Sequence, residues 1–212
     1  MLSLNIDNVL FGYRQGIFPM AESKTSEEIF WVKPKERGII PIGKLHISKK
    51  LKKFVKNKTF QISINKCFQL VVKNCADRPE TWINNTLINI YQELYRNGHA
   101  HSIEVWLNDK LIGGLFGIVF GSCFCGESMY SSDVNGSKLA LIATMSRLRY
   151  NKFKLFDTQF PTDHLQSMGG LTIPQEEYEK LLSTSVDDVR NFLSFPNSYS
   201  WSEMVQLSSH KL

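Results

Sequence analysis

Residues 102–130 hold three extended segments separated by very short breaks, and that spacing restricts the fold more than any other feature. Residues 102–107 read as a strand, Asn108-Asp109 as a turn and 110–120 as a second strand. Gly121 is a break and 122–130 a third strand. Such breaks are too short for crossover helices, so the three strands form an antiparallel meander. Residues 137–150 then read as an amphipathic helix, 155–160 as a strand and 163–168 as a short helix stopped by Gly169-Gly170. Residues 174–182 read as a helix with Pro174 at its first position. A meander followed by helix, strand and helix is an α+β arrangement on a mixed, largely antiparallel sheet.

Upstream, residues 5–16 read as a short helix ending near Gly16. Pro19, Pro34, Gly38, Pro41 and Gly43 punctuate the next stretch. We place a small, turn-rich N-terminal domain at 1–43 and a second domain at 44–212. Residues 60–65 read as a strand, and 66–75 and 83–97 as helices, the latter ended by Asn97-Gly98. With 42% hydrophobic and 21% charged residues the chain has the composition of a folded domain. It has no apolar run of the roughly 18 residues a membrane span requires. The first residues lack a basic n-region before an apolar block, so a cytoplasmic location is expected. Cys67, Cys75, Cys123 and Cys125 lack zinc-site spacing and read as buried thiols.

Charge is unevenly spread. Residues 44–58 contain seven lysines and no acid, and the remaining 18 basic side chains are outnumbered by 20 acidic ones. Ser48 is placed to cap a helix over 49–56. Leu51, Phe54 and Val55 form its apolar stripe, and Lys49, Lys52, Lys53 and Lys56 spread around the opposite side. A face of one sign suits a phosphate backbone or an anionic membrane; the alternative is an ordinary solvated helix.

Several motifs lead nowhere. Gly121 and Gly126 are spaced as in a P-loop, but Glu127-Ser128 stands where lysine is needed. His99 and His101 share a face without a third metal ligand. No nucleophile–base pairing suggests a covalent acyl-enzyme. Two places are more pointed. Strand alternation puts Leu155, Asp157 and Gln159 on one face and Phe156, Thr158 and Phe160 on the other. Glu127 interrupts an apolar strand, and a lone carboxylate there requires a cation or hydrogen-bond donors. For Asp157 and Gln159 the alternative is a polar network closing the end of the sheet.

The strings Gly98-His99-Ala100-His101-Ser102-Ile103-Glu104-Val105-Trp106, Gly113-Gly114, Phe124-Cys125-Gly126-Glu127-Ser128-Met129 and His164-Leu165-x-Ser167-x-Gly169-Gly170 occur in order. Tyr13-Arg14-Gln15-Gly16-Ile17-Phe18-Pro19 and Leu45-His46-Ile47-Ser48 precede them. Together they resemble the bacterial leucyl/phenylalanyl-tRNA–protein transferases. The resemblance implies a small N-terminal domain and an acetyltransferase-like (GNAT) C-terminal domain. It implies transfer of Leu or Phe, sometimes Met, from aminoacyl-tRNA to proteins beginning with Arg or Lys. The products enter N-degron proteolysis. It also implies a monomer that uses no cofactor and no metal and does not engage a membrane.

Carried over by position, Asp157 and Gln159 match the pair handling the attacking amine. Glu127 and Trp82 match residues at the aminoacyl-adenosine end of the tRNA. Met129, Leu115, Leu141, Leu148 and Phe156 match the side-chain pocket. Lys49, Lys53 and Lys56 match the positions that receive the tRNA backbone. Glu127 and Glu104 are candidates for meeting the acceptor's basic first residue. Some positions depart from the family pattern. The segment before Tyr13 is short, so the N-terminal domain is expected to be trimmed. Met20 stands for the usual Trp, Thr144 for an aromatic and Ser132 for Arg. Two rival readings are an acyl-CoA transferase, which needs a pyrophosphate loop that residues 131–138 do not supply, and a non-catalytic RNA-binding module built on the lysine helix.

Overall fold

The structure is a computed structural model, and it describes residues 3–56, 59–196 and 198–209. In chain order its elements are α1 (Ile6–Arg14), β1 (Phe18–Ala21), β2 (Ile29–Val32), β3 (Glu36–Ile39), α2 (Lys49–Lys56), β4 (Gln61–Ile64), α3 (Phe68–Ala76) and α4 (Asn85–Arg96). The meander comes next as β5 (Ala100–Leu107), β6 (Lys110–Phe120) and β7 (Cys123–Ser131). Then come α5 (Gly136–Tyr150), β8 (Leu155–Gln159), α6 (Asp163–Ser167), β9 (Leu171–Pro174), α7 (Gln175–Ser183) and α8 (Trp201–Ser209).

Seven strands form one sheet in the order β4-β5-β6-β7-β8-β3-β9, and β1 pairs with β2 alone. Within the large sheet only β7 and β8 run parallel; the other pairs are antiparallel. The fold is therefore α+β with a largely antiparallel mixed sheet. Asn108 and Asp109 both have positive φ, the geometry of a two-residue hairpin turn whose twist matches the strands it joins. The β5–β6 turn is thus a direct outcome of local chemistry.

Helices cover both faces. On one side Val9 and Tyr13 of α1, Val71 and Val72 of α3, Leu87 and Tyr91 of α4 and Tyr178 of α7 pack against Phe116, Ile118 and Cys125. On the other, Leu51 and Val55 of α2, Met204 of α8 and most of α5 pack against Ile103, Leu115 and Phe124. Among the described residues no helix is long and apolar enough to cross a membrane.

Several elements differ from the sequence reading. Residues 36–39 and 171–174 are strands of the large sheet, although both look like punctuated loop. The segment before residue 43 thus contributes β3 to that sheet. Pro174 closes β9 and precedes α7 instead of beginning it. Helix α5 is not amphipathic: every residue from Leu139 to Leu148 is buried. The cause is α8, an element absent from the sequence reading, which lies along α5. Ser208 Oγ donates to the Ile142 carbonyl (2.9 Å), and the Leu45 amide donates to the Ser208 carbonyl (2.9 Å).

Met204 is 6% exposed at this junction. Met204→Ala is expected to cost about 2–4 kcal/mol in urea unfolding, since the α5–α8 seam cannot collapse fully around the lost atoms. A loss below about 1 kcal/mol would show that α8 is not part of the cooperative core.

Candidate active site

The site lies where the two parallel strands separate. β7 and β8 are in register from Cys123↔Leu155 to Cys125↔Asp157 and diverge beyond that point. Each strand is irregular just where it leaves its partner. In β7, Ser128 faces Phe116 and Gly126 faces Gly117, which leaves Glu127 as the extra residue of a bulge. In β8, Gln159 faces Gly38 and Asp157 faces Ile39, which leaves Thr158 extra. Bulges re-aim side chains. Here they bring Glu127 and Gln159 together: Gln159 Nε2 donates to Glu127 Oε1 at 2.8 Å.

A cavity of about 790 Å³ occupies the gap between the strands. Leu115, Met129, Leu141, Phe156 and Leu165 supply its apolar walls, and Glu127, Gln159 and Trp82 also line it. Because it opens through the gap, Phe156 and Thr158 line it together with Gln159, although simple alternation assigns them to opposite faces. Arg78 and His164 line it too. Arg78 is fixed by donation to the Met129 carbonyl.

Glu127 is almost fully buried and is held by donors. Besides Gln159, Tyr13 Oη donates to Oε1 (2.8 Å) and Tyr91 Oη to Oε2 (2.9 Å). Burial pushes its carboxyl up to about 7, and nearby Asp157 adds to the rise; the hydrogen bonds from Tyr13, Tyr91 and Gln159 oppose it. Its charge state therefore changes near neutral pH. Tyr13 and Tyr91 are driven well above the ordinary phenol value, first by burial and then by the charge of Glu127, so both remain donors.

Asp157 lies behind this pair and does not line the cavity. It is fully buried, and its partner is Arg37 of β3, itself fully buried. Arg37 Nε donates to Oδ1 (2.9 Å) and Nη2 to Oδ2 (2.6 Å), a two-pronged pair. Tyr178 Oη and Cys125 Sγ also donate to Oδ2, at 2.9 and 3.4 Å. The backbone N–H of Gln159 donates to Oδ1 (2.8 Å). Arg37 further donates to the Gly16 carbonyl (3.0 Å) and sits over the rings of Phe18 and Tyr178. Burial alone would lower the guanidinium, but the Asp157 charge and hydrogen bonds prevail and hold it above its ordinary value.

The other sequence candidates fall in several places. Leu148 is fully buried in the core and does not line the cavity. Glu104 is also away from it, fully buried and accepting from Ser63 Oγ at 2.7 Å and from Ser102 Oγ. Thr144 is buried with its hydroxyl donating to the Ala140 carbonyl, Met20 of β1 is partly buried against the core, and Ser132 lines the cavity. Lys49, Lys53 and Lys56 are exposed on α2 with Lys50 and Lys52, while Leu51 and Val55 are buried and Ser48 Oγ accepts from the Leu51 amide. Lys58 lies outside the described residues. The segment leading into α2 is tied to the cavity wall, for the His46 amide donates to the Met168 carbonyl (2.8 Å) just after α6. Arg37, Tyr91 and Tyr178 were not singled out from the sequence, and Tyr13 was given no role. The available signal was Asp157 itself: a carboxylate in an apolar strand demands a cation, and Arg37 precedes the short apolar run Gly38-Ile39-Ile40.

Comparison with known proteins shows the family. Residues 39–183 match the family model described as leucyl/phenylalanyl-tRNA protein transferase, and residues 3–35 match that of the N-terminal domain of the same family. A leucyl/phenylalanyl-tRNA–protein transferase of Ruegeria sp. (strain TM1040) is 45% identical over 193 residues, covering 91% of this chain and 92% of that protein. One from Paracoccus denitrificans is 45% identical, covering 86% of each chain. Another, from Ruegeria pomeroyi, is 44% identical, covering 90% of this chain and 91% of the relative. The chain belongs to the leucyl/phenylalanyl-tRNA protein transferase family.

Proposed function

We propose that this chain transfers Leu or Phe from aminoacyl-tRNA to the N-terminus of an acceptor protein. The observation that carries the reading is the pairing of Gln159 with Glu127 at an apolar cavity formed by two diverging parallel strands. The aminoacyl side chain enters the walls of Leu115, Met129, Leu141 and Phe156. A slot with such walls favours unbranched and γ-branched side chains and discriminates by about 1–3 kcal/mol per methylene. Trp82 and Glu127 meet the adenosine end. The strand order, with a meander, a helix and then a parallel strand splayed from β7, supports an acetyltransferase-like (GNAT) domain. The acceptors begin with Arg or Lys and pass to N-degron proteolysis, and the enzyme acts as a cytoplasmic monomer.

The chemistry balances without ATP. The acceptor amine attacks the ester carbonyl carbon, a C–N bond forms, the C–O bond to the ribose breaks, and the amine proton ends on the departing ribose oxygen. An α-amino group has a pKa of roughly 8, so a useful neutral fraction exists near pH 7. Gln159 accepts a hydrogen bond from the amine and aligns it. Glu127, anionic above about pH 7, lies beside it to take the proton in passing. Asp157 stands behind and fixes Gln159. The exposed lysines of α2, Lys49, Lys53 and Lys56 among them, receive the tRNA backbone outside the cavity.

Incubation with Phe-tRNA or Leu-tRNA labelled in the amino acid is expected to label a peptide beginning with Arg; no transfer from either overturns the reading. Replacing Lys49, Lys53 and Lys56 by Ala is expected to make the salt dependence of tRNA affinity shallower by roughly 2–3 in log–log slope, through lost counterion release. An unchanged slope would place the tRNA elsewhere. For wild type, log kcat/KM is expected to climb with slope near 2 below about pH 7 and near 1 from about 7 to 8, because Glu127 and the amine must both lose protons. Glu127→Gln is expected to keep only the shallower limb; a persisting steep limb would assign that titration to another group.

A further inference from the structure

We infer that Arg37 is a positioning residue for aminoacyl transfer, acting through Asp157 to hold the backbone of Gln159 so that its amide meets Glu127. This rests on the reading of Gln159 and Glu127 as the groups that meet the amine. Three features carry it.

The first is the conformation of Gln159. Its φ is +62°, in the left-handed region that a residue with a side chain occupies only when its surroundings impose it. The imposing contact is the 2.8 Å hydrogen bond from its N–H to Asp157 Oδ1. That same oxygen accepts from Arg37 Nε. The guanidinium, Asp157 and the Gln159 backbone are thus consecutive links, and the Gln159 side chain is the last of them at the cavity.

The second is that neither member of the ion pair lines the cavity. Both Asp157 oxygens are occupied, Oδ1 by Arg37 and the Gln159 amide, Oδ2 by Arg37, Tyr178 and Cys125. An Asp157 so engaged acts by geometry. A planar fork is required to grip both oxygens, and a lysine ammonium supplies only a point charge.

The third is the residue after Arg37. Gly38 is in register with Gln159. A Cβ there would lie 2.7 Å from Thr158 Oγ1 and 2.9 Å from the Phe160 carbonyl. Strand β3 therefore restrains Gln159 twice: Arg37 anchors it through Asp157, and Gly38 leaves room for the bulged backbone.

A purely stabilising ion pair gives a different expectation. Buried pairs are often replaced by apolar residues of similar volume without loss of stability. The test compares wild type, Arg37→Lys, Gly38→Ala and the double variant Arg37→Met with Asp157→Leu. Each is assayed for transfer of Phe from Phe-tRNA to an Arg-initiated peptide, with thermal melts run in parallel. Arg37→Lys and Gly38→Ala are expected to lower kcat by roughly 10- to 100-fold, with KM for aminoacyl-tRNA changed less than about 3-fold. The double variant is expected to melt cooperatively and to stay as slow. Wild-type kcat in a folded Arg37→Lys or in the double variant overturns the proposal, as does a loss confined to KM. If Arg37→Lys does not fold, the double variant decides, because apolar replacement leaves no uncompensated charge, and wild-type kcat there is equally fatal. Transfer by wild type with unaltered variants refutes the role of Arg37 alone. No transfer by wild type refutes the reaction and the role together.

Discussion

The ion pair between Arg37 and Asp157 holds together segments that are remote in sequence. Desolvating two charges costs several kcal/mol for each ion, and their attraction offsets this only with good geometry and full hydrogen bonding. Both conditions are met. The guanidinium also reaches the Gly16 carbonyl after α1 and the Tyr178 hydroxyl of α7, while Asp157 takes the Cys125 thiol of β7 and the Gln159 amide. One polar knot thereby fixes the end of α1, strands β3, β7 and β8, and helix α7. Removing one partner leaves the other charge buried and uncompensated, so the knot tolerates little partial change.

The cavity is a consequence of strand geometry. Parallel β7 and β8 share only a short paired stretch before they part. Sheets normally leave no such gap, because each strand satisfies the next. Here the freed ends are satisfied otherwise. The β7 bulge directs Glu127 to Tyr13 and Tyr91, which come from helices on one face of the sheet. On its opposite edge β8 stays paired with β3, which faces Gln159 with Gly38, and the Gln159 side chain reaches Glu127 across the gap. Irregularity in both strands is thus compensated by hydrogen bonds from elements that arrive from elsewhere in the chain.

This explains what could be read from the sequence. The meander was legible because its turns are local, down to the paired positive φ values at Asn108 and Asp109. The lysine helix was legible because a cap, an apolar stripe and an unmixed charged face all lie within nine residues. The Asp157–Gln159 strand was recognisable as unusual, since two polar groups interrupt an apolar run. The partners were not legible. Arg37 sits in a stretch broken by Pro34, Gly38 and Pro41, and nothing local reveals that it becomes part of an interior strand 120 residues before the aspartate it grips. Likewise nothing in α5 itself marks which side is covered, and its complete burial depends on a helix some fifty residues downstream. Alternation also failed at Thr158, because a bulge is set by the neighbouring strand.

The placement of charge bears on the proposed reaction as a whole. The donor is a polyanion and the acceptor a cation, so one enzyme must attract both without its own groups cancelling. The lysine cluster lies on α2, whereas of the two carboxylates lining the cavity Asp77 is exposed and Glu127 is buried among tyrosines. Exposed charges are screened beyond about 8–10 Å at physiological ionic strength, while a buried carboxylate keeps its field at short range. Arg37, fully buried near the site, is engaged by Asp157 and does not neutralise Glu127. Its withdrawal behind the strand leaves the cavity with a carboxylate whose charge state changes near neutral pH, beside the amide that aligns the amine.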